Sequence, residues 1–159
     1  GVARVQAMVG FDAVRRPVRQ GGRSPATRQA SVPWGERATA LRPVDRPWPG
    51  AVPGPPPVRV FVTPLLAEVV GDDGRAVAVT ERGAVTAPPT RFRLTRPDGA
   101  GALLPWQPVT AWAGPWPCDE SWWSGGAGLT SRFQVVGADG RAWLLVCGAA
   151  GWSLEAGYD

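Results

Sequence analysis

The chain is 159 residues long, carries a net charge of +4, draws all 17 of its basic residues from Arg and contains no His. A length in this range points to one domain, or one domain with an appendage. Without His the side chain most often used as a base near neutral pH is missing, no apolar run approaches the roughly 18 residues of a membrane span, and no secretory leader is visible; the chain is expected to be a non-enzymatic, cytoplasmic piece, and its opening on Gly1 reads as an excised or terminal fragment.

Charge is unevenly spread along it. Residues 1–57 hold nine Arg against three acids, a balance of +6, and residues 58–159 balance at −2. Val2, Val5, Met8 and Val9 recur at helical spacing and Gly10 stands just past them, which predicts a short N-terminal helix. Residues 11–42 then lose periodicity, although Gly21-Gly22-Arg23-Ser24-Pro25 marks a turn. Residues 1–42 therefore read as a basic leader. Its Arg15, Arg16, Arg19, Arg23 and Arg28 are candidate contacts to DNA phosphates, giving weak, sequence-independent affinity; a solubilising arm without such a role is the alternative. From 43 to 57 the chain runs PVDRPWPGAVPGPPP, where seven prolines fix φ and remove donors, so an extended connector is expected.

Beyond the connector the apolar period becomes two. Val58, Val60 and Val62 alternate with Arg59 and Phe61, Val77 and Val79 with alanines, and Phe92 and Leu94 with Arg91, Arg93 and Thr95. Phe133 and Val135, Leu144 and Val146, and Trp152 and Leu154 continue the pattern, each pair predicting a half-buried strand. VVGDDGRA at 69–76 returns as VVGADGRA at 135–142, and Asp-Gly supplies the positive-φ corner of a tight hairpin. Short strands with such turns predict a mainly β module over 58–159, a small antiparallel barrel or sandwich, preceded by the short helix and the Pro-rich connector.

Little catalytic chemistry is available. Cys118 has no His to make it a nucleophile, two isolated Cys make neither a disulfide framework nor a zinc site, and no phosphate-binding glycine loop occurs. No cofactor or metal is expected, and the two Cys are read as reduced, partly buried thiols. Tryptophan stands out instead, at nine copies, four of them within 112–123. A loop stiffened by Pro115 and Pro117 that presents Trp112, Trp116, Trp122 and Trp123 loses little entropy on binding and suits an interface anchor. Core packing of the same rings is the competing reading.

Several stretches resemble the C-terminal region of the ImuB family: ARVQAMVG at 3–10, QGGRSPATR at 20–28, VPWGE at 32–36, RPWPG at 46–50, TAWAGPWP at 110–117, the WW pair at 122–123 and RFQVVGADGRAWLLV at 132–146. The resemblance is collinear over nearly the whole chain. Members of that family are the catalytically inactive, Y-family DNA-polymerase-like subunits of the bacterial mutasome. The resemblance implies that the polymerase-like regions and the sliding-clamp-binding motif lie upstream of Gly1. It further implies a tethering role in damage-induced, error-prone translesion synthesis, with an ImuA-type RecA-like protein and an error-prone C-family DNA polymerase as partners. The alternative function is a single-stranded nucleic-acid-binding β-barrel; a third is an accessory domain of an enzyme.

Overall fold

In the computed structural model the apolar run at the N-terminus is helical as far as Gly10: α1 spans Val2–Val9, and the Gly10 amide donates to the Gln6 carbonyl. Residues 1–38, 42–96, 101–118 and 129–158 are described. The chain forms two compact units, Gly1–Ala51 and Val52–Asp159, so the division falls inside the proline-rich run.

The first unit holds a hairpin that the missing periodicity concealed. Strand β1 (Arg15–Arg19) pairs antiparallel with β2 (Gln29–Pro33), from Arg15 opposite Pro33 to Arg19 opposite Gln29. Backbone bonds Trp34 to Val14 and Gln20 to Arg28 lengthen the ladder at both ends. Between the strands the turn at Gly21-Gly22 closes on itself: Ser24 and Thr27 exchange side-chain and backbone bonds, and the Gln20 amide reaches the Thr27 carbonyl. The first part of the proline-rich run folds back onto this turn. Gly21 donates to the Arg42 carbonyl, Trp48 Nε1 to the Pro43 carbonyl, and Arg23 Nε to the Pro49 carbonyl. Neither glycine has room for a Cβ, which at Gly21 would meet the Pro43 carbonyl and the Trp48 indole and at Gly22 the Thr27 side chain. Helix α1 buries no residue, and its Val5, Met8 and Val9 are exposed.

The second unit is a closed ring of six antiparallel strands in simple chain order, β3 (Arg59–Val70), β4 (Arg91–Leu94), β5 (Gln107–Cys118), β6 (Thr130–Gly137), β7 (Ala142–Gly148) and β8 (Gly151–Gly157), with β8 returning to β3. The mainly β barrel read from the alternation is the observed fold. Closing a sheet on itself removes its edges. Inside lie Ala67 and Val69 of β3, Phe92 and Leu94 of β4, Phe133 and Val135 of β6, Leu145 and Cys147 of β7, and Trp152 and Leu154 of β8. The Phe133 and Trp152 rings meet at 4.9 Å between centroids, within the range of favourable aromatic pairs.

Four expectations are corrected, one of them the facing of the 142–148 strand, where Leu145 and Cys147 rather than Leu144 and Val146 point inside. Val77 and Val79 are not in a strand but form part of a segment held by single bridges, Val70 to Ala76 and Val79 to Val85, because turns at Gly71–Arg75 and Thr80–Ala84 leave too little chain between them. Val77 is nevertheless fully buried, and Trp152 Nε1 donates to its carbonyl at 2.6 Å, fastening the segment over the core. The facing of β3 is the reverse of that read for its start: Phe61 and Leu65 pack on the interior, whereas Val60 and Val62 alternate outward. Trp112 and Trp116 lie in β5, not in a loop. The strand absorbs Gly114-Pro115 as an irregularity between Ala113 and Trp116. Gly114 is required there, at φ +122°, where an added Cβ would lie 2.7 Å from the Arg132 carbonyl oxygen.

The two echoed octapeptides do make matching turns. In each, the first glycine amide bonds to the arginine carbonyl and the arginine amide to an aspartate oxygen: Gly71, Arg75 and Asp73 in one, Gly137, Arg141 and Asp139 in the other. Gly74 and Gly140 supply the positive φ at 76° and 79°.

Candidate interaction surfaces

The barrel exterior is covered on one side and bare on another. A second apolar cluster sits outside the ring, where Val52 from the chain entering the barrel packs with Leu144 and Ala156, flanked by Val60, Trp116 and Tyr158. On the same outward face, opposite Trp116 in register, Arg132 is buried with Glu155, bonding through Nε at 2.8 Å and Nη2 at 3.3 Å. Gln134 donates to the Tyr158 hydroxyl beside them.

Along β3 the outward row reads Val60, Val62, Pro64, Leu66. Only Val60 reaches the covering cluster; Val62 is 100% and Leu66 70% exposed. Leu66 also borders a cavity of about 440 Å³ whose walls include Leu103 and Trp152. An exposed apolar row running to an apolar cavity is the arrangement into which a partner's side chain can be anchored. Sequence reasoning missed it because VRVFV places apolar residues on both parities, so alternation alone does not choose the buried face.

Of the predicted anchor residues, Trp116 is half-buried in the outer cluster and Trp112 is 37% exposed, its ring 6.1 Å from that of Phe133. The register puts them on opposite faces, Trp112 opposite the interior Val135 and Trp116 opposite the outward Arg132. These two do not share a platform. Trp122 and Trp123 lie outside the described residues. Another ring does carry a cationic contact: the Arg93 guanidinium lies 4.5 Å over Trp106 while its Nε and Nη2 bind Glu68.

The leader arginines are also divided. On β1, Arg15 and Arg19 alternate with Arg16 and so point to the opposite side. Arg15 bonds Ser31, Arg16 the Glu36 carbonyl, Arg23 the Pro49 carbonyl and Arg28 the Gly22 carbonyl. Arg19 and Arg28 line one cavity, joined there by Arg46, which the sequence reading did not single out.

Reactive groups are few. Cys118 and Cys147 are both buried and in no disulfide. Burial pushes the Cys147 thiol above its ordinary pKa, partly offset by a hydrogen bond with the Val79 backbone. Among the described residues no group of three or more His, Cys, Asp or Glu could hold a metal ion, and no helix is long and apolar enough to cross a membrane. Compared with protein-family models, curated proteins and solved structures, the chain matches none of them.

Proposed function

We propose that this chain is a non-catalytic protein-interaction module that docks a partner on the outer face of its barrel. The exposed row of Val62 and Leu66, ending at the cavity walled by Leu103 and Trp152, carries the reading. Water contact along such a row is unfavourable in the free domain, and burying it against a partner returns that free energy to the complex. The collinear resemblance to the C-terminal region of ImuB supplies candidates for the partner: an ImuA-type RecA-like protein and an error-prone C-family polymerase, tethered during translesion synthesis.

The test is affinity capture of each candidate by the full chain and by a Val62→Glu, Leu66→Glu variant. Both side chains face solvent, so the variant should keep the wild-type melting temperature. One candidate should bind the wild type and lose about thirtyfold in affinity with the variant, the equivalent of about 2 kcal/mol for an anchor. Binding of a candidate with equal affinity to both proteins, or of neither candidate to the wild type, refutes the proposal.

A further inference from the structure

The cavity of the first unit goes beyond the docking reading; it lies on other residues and stands or falls separately. It measures about 290 Å³ and is lined by Arg19, Arg28 and Arg46, by Gly21 and Gly22, and by Trp48. No carboxylate contributes to its lining. Asp45 adjoins Arg46 in sequence but forms no ion pair with it, and Arg19 and Arg46 make no side-chain hydrogen bond or ion pair among the described residues. Two arginines with no counter-ion among the described residues, and a third fixed by its bond to the Gly22 carbonyl, line one concavity. Guanidinium forks match phosphate oxygens bidentately.

The walls are built rather than incidental. Trp48 is held by its bond to the Pro43 carbonyl, and the absence of a Cβ at Gly21 lets the indole and that carbonyl close on the turn. Volume decides between ligands of like charge. A space of this size, at the small end of ligand pockets of about 300 Å³, takes one nucleotide, whereas a duplex presents its phosphates on a convex surface with the bases stacked inside. An aromatic wall beside a cationic one is the pairing that single strands use, phosphate on arginine and base on ring.

We propose that this pocket binds one nucleotide of a single-stranded nucleic acid, its phosphate held by Arg19, Arg28 and Arg46 and its base against Trp48. The pocket belongs to the leader unit, and the barrel has no part in it.

The assay is fluorescence anisotropy of a labelled oligothymidylate of about twelve nucleotides with the full chain. An Arg19→Ser, Arg46→Ser variant is compared with an Arg4→Ser, Arg37→Ser variant of identical net charge. The pocket variant should bind about tenfold more weakly, and its slope of log affinity against log salt should fall by about 1.4, at roughly 0.7 per lost phosphate contact on a single strand. The control variant should stay within about threefold of the wild type by the same charge argument. An Arg19→Lys, Arg46→Lys variant keeps the charge but not the fork and should bind with an affinity between those of the wild type and the serine variant, and an unchanged melting temperature of the serine variant separates loss of contact from loss of fold. Millimolar inorganic phosphate should compete for the wild type. Equal losses in the two serine variants, duplex DNA bound as tightly as the single strand, binding to anionic vesicles in place of the oligomer, or no oligomer binding at all would overturn the proposal.

Discussion

Replacing Glu155 with Gln takes from the buried Arg132 guanidinium the carboxylate that it binds on the barrel's outer face. The two side chains are 5% and 10% exposed and joined by a 2.8 Å bond, so neither has bulk water to fall back on. Removing one charge from a buried pair costs about 3–5 kcal/mol. For a domain of roughly a hundred residues that is a drop in melting temperature of about 12–20 °C, at about 4 °C per kcal/mol. Replacing both, as Arg132→Met with Glu155→Leu, removes the desolvation cost together with the attraction, and should bring stability back to within about 1 kcal/mol of the wild type or above it. Near-ultraviolet circular dichroism during urea titration follows the barrel through the packed Phe133 and Trp152 rings. A Glu155→Gln variant within about 1 kcal/mol of the wild type, or a double variant as unstable as the single, would refute the reasoning.

Trp116→Ala should cost about 2 kcal/mol of stability, below the 3–5 of a fully buried aromatic because the ring is half-buried, whereas Trp112→Ala should cost about 1 kcal/mol, chiefly its ring contact with Phe133; parallel urea titrations check the order, and a larger loss for Trp112 contradicts it. The raised pKa of Cys147 means that the folded protein holds the thiol proton more tightly than the unfolded chain does. Its contribution to stability is therefore full below the ordinary thiol value of about 8.5 and falls as pH rises beyond it through the folded value. Peptide mapping after iodoacetamide treatment at a pH of about 8 should find Cys147 modified in urea and spared in the native protein, and equal modification in both would sink this.

The strands legible in the sequence were those in which one parity is apolar and the other polar. RFRL at 91–94 has Phe92 and Leu94 buried, and RFQVV at 132–136 has Phe133 and Val135 buried, as alternation demands. The β1 strand, Arg-Arg-Pro-Val-Arg, offers only Val18 as an apolar signal and is held by its ladder with β2, a non-local pairing that no window along the chain can contain. WAGPWP reads as a loop because glycine and two prolines disfavour a ladder. It is a strand because Gly114-Pro115 falls where the register with β6 shifts. The arginine cavity was half legible: Arg19 and Arg28 stood among the candidate phosphate contacts, but Arg46 and Trp48 join them only through the backbone bonds that fold the proline-rich run onto the Gly21 turn.

Arg132 shows how a correct facing still conceals an environment. Alternation puts it outward, as observed, and an outward arginine on a small barrel is ordinarily solvated. Here a second layer lies over that part of the ring: Val52, Trp116 and Tyr158 pack with Leu144 and Ala156, and Arg132 is buried with the carboxylate that keeps its charge tolerable. The same layer stops at Val60, and the apolar row continues without it through Val62 to Leu66. One strand therefore presents the same kind of outward residue in two environments, one already packed by the domain's own chain and one facing water. If the bare part is a docking site, the covered part indicates what should occupy it: an extended segment bearing aliphatic or aromatic side chains, as the chain around Val52 does. A peptide of that character from the partner should protect Val62 and Leu66 from solvent in methyl-resolved NMR while leaving Val60 unchanged, and perturbation centred on Val60 instead would place the partner on the packed layer and contradict the assignment.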